Sequence, residues 1–552
     1  MRYELFGVPY EAKGIFTQPI GGVKGIYGVA GPLGQPTQTG FAEDGGSKVY
    51  SVDWNNFAPN VGFTWDPFKD GKTSLSASYR TAYDRVAITQ HLFLDYSNEG
   101  TTATVRIFPK IRFSDPIIYQ SVGGQPPIFP IATPKLFAPI GNLRAGQANT
   151  VDPSLYVPYT NNWSLRLQRE ILRRMTLSIA YVGNKGTGLH RAFNINQVEI
   201  RKNGFLAAFL AAQRNLAKNG SPNVGEPIGI LGQIFPPGAS GTVGSIPASL
   251  NTNISQGQAA LVADQIDRGL VGGLGPGGLL ANAGLAQTLI RINPQFLNAN
   301  IVGNNSNSTW HGMKLELTRR YSAGVYFQVN YTLSKGLTDY VGGQSQADNY
   351  RDNANYRLDK TLANFDATHV INANGIWQLP FGKGRRWLGN SRGLVDHVVG
   401  GWQLNGIFGF TTGWPLTVDT GRYNLTLGDT STADYSGKSY KIFNKIIRGE
   451  QITTLTPEDK TLFTNPPAGS PGGTPQRAFR GLNFVNLDTS LFKDFYMTEE
   501  KRLQMRFEFF NLFNYTRFDQ RQLTTNINSP SFGNVTAALN PRIIQFAARF
   551  IF

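Results

Sequence analysis

The chain has no cysteine among its 552 residues. Disulfides, thiolate metal sites and cysteine nucleophiles are excluded together. Charge is scarce as well: Asp, Glu, Lys and Arg make up 16%, against about a quarter in ordinary soluble domains. There is no run of 18 apolar residues, which excludes a transmembrane helix. The five histidines, His91, His190, His311, His369 and His397, form no i, i+4 pair and no H-E-x-x-H, so no metal ligands are expected. No G-x-S-x-G elbow accompanies Asp366 and His369, which read as a strand start. Gly71, Lys72 and Thr73 echo the end of a phosphate loop, but Asp66 stands where its first glycine belongs. No catalytic residue, cofactor site or metal site is expected, and the chain does not read as an enzyme. Its first ten residues, MRYELFGVPY, also lack the basic and apolar regions of a secretory signal.

What the chain has is alternation. In the last thirteen residues, NPRIIQFAARFIF, every second side chain from the end is apolar: Phe552, Phe550, Ala548, Phe546, Ile544. A period of two is an extended strand with one greasy face. The same pattern recurs upstream. Val325, Phe327, Val329, Tyr331 and Leu333 interleave with Tyr326, Gln328, Asn330, Thr332 and Ser334. Leu503, Met505, Phe507 and Phe509 interleave with Gln504, Arg506 and Glu508. Trp163, Leu165 and Leu167 interleave with Ser164, Arg166 and Gln168, and Leu315 and Leu317 with Lys314, Glu316 and Thr318.

Ten candidate strands come in pairs: 56–68 with 72–83, 162–171 with 175–186, 310–321 with 325–336, 370–379 with 401–413, and 482–495 with 502–513. The terminal strand stands alone. Most turns within a pair are short and polar; the one after Leu379 is longer and carries Lys383, Arg385 and Arg386. The links between pairs (84–161, 187–309, 337–369, 414–481, 514–539) are long, which argues against a compact soluble domain. The link 187–309 reads as a large surface insertion with helix-like runs at 204–217 and 259–270.

About ten residues per strand suffices to cross a bilayer when tilted, and lipid admits strands only as a closed barrel. The expected fold is therefore all-β: a transmembrane antiparallel β-barrel with long extracellular loops, in the cell outer membrane. The aromatic share of 12% and the mean hydropathy of −0.24 fit such alternating strands. Trp65, Trp163, Trp310, Trp377, Trp402 and Trp414 lie near strand ends and are expected at the lipid–water interfaces. Arg166, Lys314, Glu316, Gln328, Asn330, Arg506 and Glu508 fall on the polar faces and are expected to line the lumen, with Glu316 and Glu508 ion-paired to Lys314 and Arg506. The net charge of +16 is scattered rather than gathered in a stripe. It fits a basic lumen and basic turns and loops facing outer-membrane lipid and lipopolysaccharide, and nucleic acid is not an expected partner.

Several phrases carry a family likeness: NFAPNVGFTWDPF (56–68), WSLRLQRE (163–170), AYVGNKG (180–186), YTLSK (331–335), LPFGKGRR (379–386), DTSLFKDF (488–495), RFEFFNLFN (506–514) and the terminal ARFIF. Together they resemble the Oar-like β-barrel domain of TonB-dependent outer-membrane transporters. The resemblance implies a 22-stranded barrel, a lumen plug and a TonB box. Only about 11–14 strands are legible here and no plug is recognisable, so the chain reads as the C-terminal part of such a transporter. Further implications are uptake of a large or scarce, unknown extracellular substrate and coupling to a TonB-type complex through the plug. The resemblance also implies recognition of a C-terminal signal, Phe546, Phe550 and Phe552, by the barrel-assembly machinery. The alternative is a self-closed porin- or adhesin-type barrel without energy coupling.

Overall fold

The structure is a computed structural model that describes residues 2–3, 17–41, 50–84, 144–236, 245–339, 350–497 and 501–552. His91, residues 85–143 of the first long link, 340–349 of the third and 498–500 of the last turn lie outside the described residues.

Every expected strand is present. In chain order they are β1 (Asn60–Trp65), β2 (Thr73–Tyr83), β3 (Tyr159–Leu172), β4 (Met175–Asn194), β5 (Asn298–Ser322), β6 (Val325–Thr338), β7 (His369–Gln378), β8 (Trp402–Thr411), β9 (Phe484–Tyr496), β10 (Arg502–Phe510) and β11 (Ile543–Ile551). Each is hydrogen-bonded antiparallel to the next, in strict sequence order from β1 to β11. Two short strands also join this sheet: Gln147–Val151 runs parallel to the first residues of β5, and Thr361–Leu362 antiparallel to the end of β6. No described helix is long and apolar enough to cross a membrane.

Register makes the alternation continuous across the sheet. Leu317 opposes Val329, which opposes Ala373, which opposes Phe408, which opposes Leu487. Leu503, Met505, Phe507 and Phe509 oppose Phe550, Ala548, Phe546 and Ile544. Slipping any strand by one residue would turn its apolar set to the wrong face, so the band itself fixes the pairing. Among the described residues nothing covers this face: Val61, Phe63, Leu165, Leu167 and Phe546 are exposed, Phe546 by 69%. An apolar belt this large is stable only against hydrocarbon. Its height fits. His369 and Trp377 end β7 on one face, eight residues apart. At about 3.4 Å per residue and a tilt of about 40°, they are roughly 21 Å apart along the membrane normal, close to a typical band.

The short turns gather on one rim. Ala323 and Gly324 both take positive φ (51° and 78°) in the two-residue turn between β5 and β6, the mirror-image turn that matches strand twist. Asp66 accepts the amides of Phe68 and Gly71, and Asp70 those of Lys72 and Thr73. The amides that a phosphate loop would need are thus spent on turn carboxylates.

The other rim carries the long links, whose described parts are folded. Strands β4 and β5 run past the band, to Asn194 and back from Asn298, so 187–194 and 298–309 are strand rather than loop. Beyond them, helices Phe205–Asn219 and Ala259–Asp267, both near their expected positions, build a core around Phe205, Phe209, Ile254 and Ile266. Leu425 of the 412–483 link joins that core. A second core of Phe443, Phe463, Phe479 and Phe532 ties the 412–483 link to the 511–542 link.

Two neighbouring residues on β6 test the assignment of faces. V329R places a charge at mid-band and is expected to cost about 2–4 kcal/mol. N330R, on the opposite face, is expected to change stability by less than about 0.5 kcal/mol. Urea titration in vesicles reads both.

Candidate functional site

The candidate surfaces are two, the polar face of the sheet and the folded layer on the long-loop rim. Arg166, Lys314, Glu316, Gln328, Asn330, Arg506 and Glu508 all stand on the face opposite the apolar band. Gln328 donates to Glu316 at 2.9 Å, and Asn330 is the cross-strand neighbour of Glu316. Arg506 donates to Gln504 at 2.7 Å and lies 4.7 Å from the centre of the Phe492 ring. The two expected ion pairs do not form: neither Lys314 with Glu316 nor Arg506 with Glu508 is in salt-bridge contact. Glu316 takes its hydrogen bonds from Gln328 and Thr318 instead, and Arg506 turns to Gln504. Arg166 and the Arg506–Glu508 segment lie on separate strands and are not brought together with Lys314 and Glu316.

The tryptophans divide. Trp65, Trp377 and Trp402 stand on the apolar face at the short-turn rim, and Trp163 on the same face toward the long-loop rim. Trp163 lies flat over Gly183, where an added Cβ would come within 2.2 Å of the indole. Beside it Tyr181 and His311 are hydrogen-bonded at 2.7 Å, and one hairpin further Tyr331 and His369 repeat the arrangement at 2.9 Å. These amphipathic rings mark the second edge of the band. Trp414 follows β8 and is partly exposed. Trp310 departs from expectation. It opposes Gly336 and Asn184, three residues from Met313, which places it on the polar face, 5.9 Å from the Lys314 ammonium. It covers the polar wall and not the lipid boundary.

The loop layer is locked by buried charge. Arg144 donates to Asp267 at 2.7 Å, and Arg291 to Asp267 and Asp264 at 2.6 and 2.5 Å, with all four side chains at least 94% buried. Two cations and two anions thus cancel inside the helical core. Arg191, at the top of β4, lies 4.0 Å from the Tyr350 ring and 3.6 Å from Asp359. Burial raises the Asp359 carboxyl above its ordinary range despite the nearby guanidiniums, and pushes the Tyr350 hydroxyl up to about 12. Arg480 clamps Asp366, whose other oxygen accepts the Gly336 amide at 2.6 Å. Asp366 is a brace between links and has no catalytic partner in His369, which pairs with Tyr331. Between the 195–297 and 412–483 links lies a cavity of about 330 Å³, walled by Asn194, Gln197, Arg268, Arg291, Asn298 and Tyr423. The Nε of Arg291 makes no hydrogen bond. None of these ionic contacts follows from local pattern. The one available signal was Asp264 and Asp267 set three apart in the otherwise apolar helix AALVADQID.

A membrane sheet with a greasy outer face, a polar inner face and an elaborated loop rim defines an outer-membrane β-barrel protein. The chain belongs to the outer membrane beta barrel domain family, whose model matches residues 1–545. No curated protein matches the chain. Similar solved structures include the outer membrane transporter YddB from Escherichia coli, at 10% identity and a TM-score of 0.39, covering 94% of this chain and 43% of that one. A ferric enterobactin receptor from Pseudomonas aeruginosa is similar at 10% identity and 0.39, covering 94% and 42%. The ferripyoverdine receptor of the same organism follows at 10% and 0.33, covering 94% and 35%. The chain spans less than half the length of these proteins.

The ionic lock is testable. D267N leaves Arg144 and Arg291 underpaired in an apolar core, at an expected cost of about 3–5 kcal/mol to the loop layer. Trypsin cleavage at Arg268 and Arg291 should accelerate, while the heat-modifiable mobility of the sheet stays unchanged.

Proposed function

We propose that this chain forms the substrate-receiving wall of an energy-coupled outer-membrane importer. The observation that carries the reading is the folded, internally braced loop layer seated on one rim of a polar-faced sheet. A passive pore needs an open mouth, whereas a receptor needs a shaped surface at the outside. In this reading the loop layer meets a scarce or large substrate first. The cavity between the links offers it the amide groups of Asn194, Gln197 and Asn298, and the polar wall from Arg166 to Glu508 lines its path. Trp310 and Lys314 are part of that path. In this reading, coupling to a TonB-type complex runs through a plug in the lumen.

Topology bears on the competing reading, a self-closed porin or adhesin. Eleven consecutive antiparallel strands leave β1 and β11 running in the same direction. They cannot close on each other by the antiparallel pairing usual in bacterial barrels, which have even strand numbers. An odd number of further strands must stand between them.

In a planar bilayer, the purified 552-residue chain is expected to give no steady conductance; stable unitary steps would favour the self-closed pore. Phe552, 89% exposed at the end of the apolar face, is assigned with Phe546 and Phe550 to recognition by the barrel-assembly machinery. Deleting Phe552 should lower the heat-resistant folded protein in outer membranes severalfold, and unchanged levels would contradict that assignment.

A further inference from the structure

The turn between β7 and β8 differs from the others on its rim. It spans 379–401 and holds a helix, Gly393–Val399, with no buried residue. Leu394, Val395 and Val398 occupy one side of that helix at i, i+1 and i+4, exposed by 84%, 56% and 67%. Trp387 and Leu388 beside it are also exposed. The polar side is held: Asp396 accepts the Lys383 amide at 2.6 Å and the Ser391 hydroxyl at 2.8 Å. The end of the helix is tied to the barrel, since the Trp402 indole donates to the Val398 carbonyl at 2.9 Å. Trp402 is itself the last apolar-face residue of β8 at this rim. The exposed helix side is therefore continuous with the lipid-facing band, and its orientation is fixed by hydrogen bonds on its other side.

Charge completes the pattern. Lys383, Arg385, Arg386 and Arg392 are exposed and make no ion pair among the described residues. Of the described acids of this rim, Asp66, Asp70, Glu170 and Asp396 accept backbone amides, and Asp494 lies 3.7 Å from the Arg502 guanidinium. Neighbouring turns add Arg173, Arg174, Arg319 and Arg320.

We propose that the β7–β8 turn is a membrane foot for anionic phospholipid. Leu394, Val395 and Val398 enter the acyl boundary of the leaflet at the short-turn rim, with Trp387 at its surface. Lys383, Arg385, Arg386 and Arg392 take the headgroup phosphates. Apolar insertion flanked by cations is the chemistry by which amphipathic segments hold anionic leaflets. The inference rests on the membrane fold and not on the import reading.

The absence of native cysteine makes the test clean. The full chain carrying L394C or V398C is labelled with a polarity-sensitive fluorophore and folded into phosphatidylcholine vesicles with or without phosphatidylglycerol; S322C in the β5–β6 turn is the water reference. Brominated acyl chains are expected to quench the 394 and 398 labels severalfold more than the 322 label, and more strongly with phosphatidylglycerol present. R385Q/R386Q/R392Q should abolish that lipid dependence. Labels at 394 as water-exposed as at 322, or quenching indifferent to phosphatidylglycerol, would overturn the proposal. Protection that arises only on adding soluble envelope proteins would overturn it too, in favour of a protein partner. Independently, a headgroup photocrosslinking phosphatidylglycerol should modify the unlabelled chain within 379–401, and modification confined elsewhere contradicts the foot.

Discussion

Every amide inside hydrocarbon must find its partner on a neighbouring strand, because lipid offers none. That constraint governs the rest of the molecule. It forces the eleven strands into one uninterrupted ladder, and the ladder then leaves side chains only two directions. Once one direction meets lipid, the residue types follow: Val329, Leu317 and Phe408 outward, Asn330, Glu316 and Asn405 inward. The fold is therefore specified less by side-chain interlocking, as in a soluble core, than by a phase relation repeated strand after strand.

Phase also explains what could be read from sequence. Strands crossing the band were legible because lipid imposes a strict period of two, and all eleven stand near their expected positions. The signal stops where lipid stops. β4 continues through 187–194 and β5 begins at Asn298, but the stretch NANIVGNNSNST alternates no greasy face, since loops and the parallel strand Gln147–Val151 cover it instead. The helices of the loop layer were visible through their own 3.6-residue pattern. Their assembly was not: Arg144 meets Asp267 across 123 residues and Arg480 meets Asp366 across 114, and no local periodicity encodes such partners.

Trp310 shows the difference between composition and phase. A tryptophan near a strand end suggests a membrane interface. Parity against Met313 and Leu315 puts it on the other face, and that parity was present in the sequence. On the polar face, Glu316 and Arg506 take neutral partners, Gln328 and Thr318 for the one and Gln504 for the other, so the same-strand charges Lys314 and Glu508 are not their partners.

The two rims solve the same problem by different means. Where strands leave the lipid, their amides and the chain reversal still need partners. At the short-turn rim single carboxylates supply them: Asp66, Asp70, Glu170 and Asp396 each accept backbone N–H groups within a few residues. These four acids are spent locally, and Lys383, Arg385, Arg386 and Arg392 of the β7–β8 turn make no ion pair among the described residues. At the long-loop rim, partners come from links distant in sequence, and acids there are buried against arginines in the layer's interior. The consequence is a loop layer whose buried charges are paired, while the β7–β8 turn on the opposite rim presents four exposed cations without an ion pair among the described residues. Those cations stand where an anionic leaflet can neutralise them.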